Sequence, residues 1–408
     1  MIAEGVRHLS RGNLPSPSDL VLTPANAHRV AEQLANLRGA AMKLGQLLSM
    51  DSGALLPPEL TAILGRLRAD ARPMPMSQLV GVLGSSWGSD WEKGFRRFSF
   101  TPLAAASIGQ VHSAVTKDGR RLALKVQYPG IRESIDSDVD NVATLLRVTR
   151  LLPRELELAP LLEEAKRQLH QEADYLKEAG HLKRFGLLLA DAPAFLLPAV
   201  DEEHTRADIL AMTHLEGESA EALVGADQPT RDRVAALLLE LVFRELFEFG
   251  LIQTDPNFAN FLYHRQSAQL GLLDFGATRS LSDAVTHGYR RLLVAALQED
   301  RQAMAESAQG MGYFREAIHA DQREAVIDLF MQVTEPARFQ GHYDFGSSDL
   351  PLRIRDAGLA LSFEQGYWHT PPADVLFIHR KLAGLYLLAA RLRARVDVRS
   401  ILERFVTT

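Results

Sequence analysis

Asp255-Pro256-Asn257-Phe258-Ala259-Asn260, followed shortly by Leu273-Asp274-Phe275-Gly276, is the stretch on which the reading of this chain turns. Asp255 and Asn260 have the spacing Asp-x-x-x-x-Asn. Leu270-Gly271-Leu272-Leu273 is a short apolar run, expected to be a strand, and it delivers Asp274 beside the first segment. Phosphoryl transfer needs such a layout. One carboxylate addresses the attacking group, while an amide oxygen and a second carboxylate hold Mg²⁺ on the phosphates. Taken alone, Asp255-Pro256-Asn257 also reads as a plain turn. The decision therefore falls to what the chain supplies on either side.

Just upstream, Ala235 to Phe249 is apolar nearly all round and is expected to be a central helix. Before it, Ala207 to Thr213 reads as a buried strand and His214-Leu215-Glu216-Gly217 as a connector. Leu161 to Phe185 reads as one long charged helix. On it Asp174 and Glu178 share a face, and Glu172 lies on another side. A straight helix cannot turn all three carboxylates to one partner, and a solvated face is the plain reading of each. Arg132 to Leu152 is a further helix, closed by Pro153.

From Phe95 to Tyr128 the period is two. Phe98 and Phe100 start a strand, and Ala104-Ala105-Ala106-Ser107-Ile108-Gly109 forms a loop of small residues. Val111, Ser113 and Val115 then alternate up to Asp118-Gly119, a hairpin signal. In the next strand Leu122, Leu124 and Val126 take one face, and Ala123, Lys125 and Gln127 the other. Ala123 leaves room for a flat ring and Lys125 can reach phosphates. An ordinary exposed strand lysine is the competing reading.

Farther out, Asn26 to Met50 reads as a helix with an apolar seam at Val30, Leu34, Leu37, Ala41, Leu44 and Leu48. Gly39, Met42, Lys43, Gln46 and Met50 lie opposite, where a solvated face fits Lys43 and Gln46 as well as an engaged one does. Leu60 to Leu67 and Gln78 to Leu83 are short helical pieces, the second followed by a Gly/Ser turn at Gly84 to Ser89. Beyond Asp274 the chain reads as helical at Ser282 to Leu297, Gln322 to Val333 and Asp374 to Ala394. The 408 residues are 46% hydrophobic and 24% charged, enough apolar material for two or three folded domains. A net charge of −6 without a basic tract gives no reason to expect nucleic acid. Cysteine is absent, which excludes disulfides and Cys-ligated metal. Neither a secretory signal nor a spanning apolar run is read, and the richest candidate, Val234 to Phe249, is broken by Glu240, Arg244, Glu245 and Glu248.

In chain order the parts are a small-residue loop, a strand lysine, helix carboxylates, a connector, Asp-x-x-x-x-Asn and Asp-Phe-Gly. That is the order of protein-kinase parts. Ala104-x-Ala106-x-x-Gly109-x-Val111 overlays the kinase Gly-x-Gly-x-x-Gly-x-Val frame, with alanine at the first two glycine sites. Ile252-Gln253-Thr254 replaces the usual His-Arg before Asp255, and no Ala-Pro-Glu follows Asp274. These departures, with Lys43-Leu44-Gly45-Gln46, Glu172-x-Asp174 and Gln253-Thr254-Asp255-Pro256-Asn257, strongly resemble the UbiB/ADCK (AarF-like) family of atypical kinases of coenzyme Q biosynthesis. The likeness covers roughly Leu37 to Leu281.

The resemblance implies an α+β, two-lobed protein-kinase-like fold under an N-terminal helical extension that bears the Lys-x-Gly-Gln motif. Expected domains are 1–94 for the extension, 95–214 for the small lobe and 215–408 for the helical large lobe. By the same resemblance, Asp255 is the catalytic-loop aspartate, Lys125 the phosphate lysine and Glu178 its helix partner. Asn260 and Asp274 are the Mg²⁺ ligands. Ala104, Ala105, Ala106, Ser107, Gly109, Ala123, Thr213 and Leu215 join Lys125 around ATP. Lys43 and Gln46, with Glu172 and Asp174, form a regulatory cover. The implied activity is ATP binding and weak hydrolysis, without phosphorylation of proteins in trans. Polyprenyl-quinone precursors or quinone-biosynthesis enzymes are the implied partners, and a homodimer is compatible. The expected location is cytoplasmic, peripherally associated with the inner membrane through contact with anionic lipid. A non-catalytic nucleotide-sensing scaffold is the alternative.

Overall fold

The computed structural model describes residues 37, 39–41, 43, 73–148, 158–314, 318–361, 367 and 371–406. Gln46, the piece Leu60 to Leu67 and most of the helix read over Asn26 to Met50 lie outside them. The chain forms two compact units, residues 1–177 with 201–213 and residues 178–200 with 214–408.

In the first unit, α1 (Met76–Trp87) starts behind Pro75, whose carbonyl accepts from Gln78 and Leu79 N–H. Of the Gly/Ser turn expected at Gly84 to Ser89 only the end is a turn, because α1 runs through Trp87 and stops at Gly88, at φ +90°. Packing overrides the local punctuation. Leu79, Val82 and Leu83 are buried, and Trp87 sits 5.3 Å from the Phe95 ring while its indole N–H donates to the His204 carbonyl at 3.0 Å.

Strands β1 (Phe95–Phe98), β2 (Ala104–Ala105), β3 (Gly109–Thr116), β4 (Arg121–Gln127) and β5 (Ile209–Thr213) form an antiparallel sheet in the order β1-β3-β4-β5, with β2 on β3. β1 ends at Phe98, the expected start of a strand, and Phe100 falls outside it and is exposed. The period of two in β4 is observed: Leu122, Leu124 and Val126 pack fully buried with Leu79, Leu83, Trp91, Phe95, Ile209 and Ala211. Each such side chain contributes about 1.5–3 kcal/mol by leaving water. The opposite face therefore carries Ala123, Lys125 and Gln127.

Two helices, α2 (Ile131–Val148) and α3 (Leu158–Glu172), follow, and then α4 (Tyr175–Leu188). The single helix expected over Leu161 to Phe185 is thus two. The break is at Ala173-Asp174, and Asp174 Oδ1 accepts from Lys177 N–H at 3.0 Å as an N-cap. The Ala173 carbonyl at the break accepts from Gln127 Nε2 at 2.5 Å and Arg132 Nη2 at 2.6 Å, so this acceptor is satisfied from outside the helix.

In the second unit, β6 (Glu218–Ser219), β8 (Phe261–His264) and β9 (Gln269–Leu272) line up with the short strand Phe195–Leu196, and β7 (Leu251–Gln253) pairs with β10 (Thr278–Ser280). The expected central helix is α5 (Gln228–Arg244), whose last turn widens into a π-turn over Glu245–Phe249 before Gly250 in the left-handed region. Helices α6 (Asp283–Leu297), α7 (Arg301–Gly310), α8 (Ala320–Val333), α9 (Leu350–Leu359), α10 (Ala373–Arg391) and α11 (Val398–Val406) complete the unit, and α5 packs against α10 and α11. No helix among the described residues is long and apolar enough to cross a membrane.

Candidate functional site

The mouth of the β8–β9 hairpin positions the two oxygen donors of the second unit. Phe261 pairs with Leu272, and one step outward Leu273 N–H donates to the Asn260 carbonyl at 3.0 Å. Asn260 and Asp274 therefore leave the same end of one hairpin. A short 3₁₀ turn, Phe258–Asn260, capped by Asn257 Oδ1 on Ala259 N–H at 3.2 Å, leads into it. On the other side, β7 pairs with β10, and Thr254 donates to the Ala277 carbonyl through N–H at 3.0 Å and Oγ1 at 2.8 Å. The Asp255 loop and the Asp274–Gly276 segment are thus stitched together at both ends.

Within this frame Asn260 Nδ2 donates to Asp255 Oδ2 at 3.2 Å. That bond commits the amide nitrogen and leaves the side-chain oxygen as the donor atom Asn260 offers to a cation. Asp274 Oδ1 accepts from Gly276 N–H at 3.0 Å, which fixes the turn that presents its carboxylate. A carboxylate and an amide oxygen are the hard donors Mg²⁺ takes when phosphate and water fill its remaining positions. The residues present fit that ion.

Glu178 is buried at 1% exposure, and its Oε1 accepts from Phe275 N–H at 3.4 Å. Phe275 is buried too, 4.9 Å from the Phe185 ring, and its carbonyl meets His181 Nδ1 at 3.3 Å. Glu178 thereby anchors the Asp-Phe-Gly backbone.

The first unit holds the small-residue loop and the lysine. Ala104 and Ala105 pair with Val111 and Gln110, and Ala106 N–H donates to the Gly109 carbonyl at 2.9 Å, so the loop is a tight hairpin tip. Ala104, Ala105 and Ser107 are exposed. Lys125, on β4 opposite Val111, is 8% exposed, and its Nζ stands 5.2 Å from the centre of the Tyr175 ring, a cation–π contact. Ala123 is its neighbour two positions back on the same face. Thr213 ends β5 opposite Leu122, and Leu215 lies in the connector of the second unit.

Lys43, only 4% exposed, ion-pairs with Glu172 Oε1, and Ser107 Oγ donates to Glu172 Oε2 at 2.9 Å. A Cβ on Gly39 would lie 3.3 Å from the Ser107 carbonyl, so the helical turn around Gly39 rests on the tip of the small-residue loop. Glu172 joins Lys43 to that tip. Asp174 does not share this contact, since its carboxylate caps α4.

Sequence reading missed four residues of the second unit. Arg380 Nη2 reaches Asp255 Oδ1 at 3.1 Å. Lys381 Nζ lies 3.2 Å from Glu245 Oε2 and 3.2 Å from Gln253 Oε1. Glu245 Oε1 accepts from Gln253 N–H at 3.3 Å, and burial pushes its carboxyl up against the opposing pull of Lys381. Gly384, one helical turn after Arg380, leaves the space that Pro256 fills: a Cβ there would lie 2.3 Å from Pro256 Cβ. The available signal was a lysine on the apolar stripe of α10 and a glutamate on that of α5.

The ABC1 atypical kinase-like domain matches residues 66–308. The chain is 38% identical, over 97% of its length and 79% of the relative's, to Atypical kinase COQ8, mitochondrial, of Saccharomyces cerevisiae. It is 39% identical to Atypical kinase COQ8B, mitochondrial, of Rattus norvegicus, over 94% of this chain and 72% of that one. Among solved structures, the Rv3197–erythromycin complex from Mycobacterium tuberculosis shares the fold, with a TM-score of 0.65 at 24% identity over 91% of this chain and 93% of that chain. With its α+β kinase-like fold and its motifs in kinase order, the chain belongs to the UbiB/ADCK family of ABC1 atypical kinase-like proteins.

Proposed function

We propose that the chain is a Mg·ATP-dependent atypical kinase or ATPase that supports coenzyme Q biosynthesis and does not phosphorylate proteins in trans. The observation that carries this reading is the hairpin mouth, where Asn260 and Asp274 emerge together beside an Asp255 whose two oxygens are both held. Mg²⁺, when bound, neutralises charge building on the phosphates. Asp274 and Asn260 would hold it, Lys125 would meet phosphate oxygens as a point charge, and Asp255 would orient the attacking group. Asp274→Asn removes one negative charge from a divalent site, so Mg·ATP affinity is expected to fall by at least tenfold, about 1.4 kcal/mol. A calorimetric titration giving the wild-type affinity in that variant would overturn the reading.

Exclusion of protein substrates rests on the Lys43–Glu172–Ser107 contact, which fastens the N-terminal turn to the loop tip. Lys43→Ala is expected to fold but to change ATP turnover several-fold, because Glu172 and Ser107 lose the cation that holds them. Wild type is expected to leave generic peptides unmodified. Robust peptide phosphorylation by wild type, or a Lys43→Ala enzyme with wild-type turnover, would show the turn to be only extra core.

A scaffold without catalysis is favoured by one observation: Arg380 occupies Asp255 Oδ1, an atom a general base would use. Phosphate release measured with and without anionic liposomes and a quinone-headgroup phenol separates the two. Stimulation by either supports the enzyme at a membrane periphery, and no release under any condition supports the scaffold.

A further inference from the structure

Three neighbours in the catalytic loop are each met by one residue of α10. Asp255 Oδ1 takes Arg380 Nη2 at 3.1 Å. Gln253, whose Nε2 donates to the Asp255 carbonyl at 2.9 Å, is held through its Oε1 by Lys381 Nζ at 3.2 Å. Pro256 packs where Gly384 has no side chain. Side chains four apart on a helix share a face, so Arg380 and Gly384 present one surface to the loop and Lys381 flanks it. The residue before them, His379, is also committed: its Nε2 meets the Tyr313 hydroxyl at 2.5 Å. Successive residues of α10 are thereby fixed against separate partners, which fixes the helix in rotation and along its axis.

We infer that Arg380 is a positioning residue for Asp255, with α10 as its mount. The inference rests on the reading of Asp255 as the carboxylate of the reaction. A carboxylate on a loop can rotate about its last bond. Here Asn260 Nδ2 holds Oδ2 at 3.2 Å while Arg380 holds Oδ1, so the plane of the group is set from both sides. A guanidinium suits the task because its charge is permanent and its donors are rigid. Arg380 is only 9% exposed at its side chain, which weakens competition from water. Arg380 acts through Asp255, the group that orients the attacking atom, so its loss is expected to fall on the rate rather than on nucleotide affinity.

The test compares wild type, Asp255→Asn, Arg380→Ala and Arg380→Lys for ATP turnover, with calorimetric Mg·ATP titration and thermal unfolding beside it. Arg380→Ala is expected to lose on the order of 100-fold in kcat, the effect of a small misplacement of a reacting group. Its KM, Mg·ATP affinity and unfolding midpoint should stay near wild type. Millimolar guanidinium should restore part of its turnover in a saturable way, and leave Asp255→Asn unrestored. Arg380→Lys, which keeps the charge but loses the fork, should fall between Ala and wild type. Wild-type or raised turnover in Arg380→Ala overturns the inference, the raised value marking Arg380 as a brake. A loss that guanidinium does not rescue, accompanied by a lowered unfolding midpoint, overturns it in favour of a structural role. Wild-type turnover in Asp255→Asn removes instead the reading of the site on which the inference stands.

Discussion

Lys381→Met is expected to cost about 3–5 kcal/mol of folding stability, because it leaves the Glu245 carboxylate buried without its cation. Both side chains are 1% exposed, and they lie 3.2 Å apart. Removing Glu245 as well, in Glu245→Gln/Lys381→Met, should recover much of the loss, since a buried pair replaced by neutral groups of similar size is often near neutral. Urea unfolding measures both. The deficit of the single variant also has a sign in pH. Burial holds the Glu245 carboxyl above its ordinary value, and Lys381 opposes that shift. Without Lys381 the folded-state value climbs further. A carboxyl raised on folding is protonated in both states at low pH and costs nothing there. Stability is lost as pH rises from the unfolded value through the folded one, and the loss is constant above it. The stability gap between the single and double variants should therefore be small in acid and open as pH rises. A gap that stays flat with pH, or a single variant as stable as wild type, would mean that Glu245 is not held charged by Lys381.

That pair also shows where sequence reading stopped. The kinase order of motifs was legible because each part is local: a hairpin signal, an alternating strand, an Asp-x-x-x-x-Asn loop. The partners of those parts were not. Lys381 lies on a stripe with Ile378, Leu385 and Leu388, all buried, and a lysine there reads locally as an interruption. Glu245 likewise reads as a break in an apolar run. Only the fold shows that the two charges answer each other across more than a hundred residues of chain, and that the widened turn Glu245–Phe249 carries Glu245 inward. The break between α3 and α4 was missed for a different reason. Helical periodicity continues across it, and the informative residue was Asp174, whose short carboxylate favours an N-cap over a helix interior. Gly84 to Ser89 erred the other way, since glycine and serine weaken a helix by amounts that a partly buried Trp87 and the buried Leu79 and Leu83 exceed.

Gly109→Ala is expected to damage both the fold and the proposed nucleotide site, although alanine already stands at two neighbouring glycine sites of the same frame. A Cβ on Gly109 would lie 2.2 Å from the Val126 carbonyl oxygen, 3.0 Å from the Val126 carbonyl carbon and 3.0 Å from the Tyr175 hydroxyl. The first two are backbone atoms of β4, held in a ladder in which Gly109 faces Gln127 and Gln110 faces Val126. They cannot rotate away, so the start of β3 must lift. Ala104 and Ala105 stand at an exposed hairpin edge, and Ala106 in the turn that follows it, where a methyl group is accommodated. Lifting β3 would shift the loop tip, with Ser107 pulled from Glu172, and press on Tyr175, the ring beside Lys125 Nζ. The stability loss should be about 1–3 kcal/mol, as for other overpacked sites, together with a fall in Mg·ATP affinity. Gly81→Ala is the control: its Cβ meets nothing within 4 Å, and on exposed helix it should stabilise by about 0.5–1 kcal/mol. Urea unfolding and calorimetric Mg·ATP titration of both variants decide the matter. If Gly109→Ala matches wild type in both measurements, β3 has room that its backbone geometry denies, and the loop tip is not set by this contact.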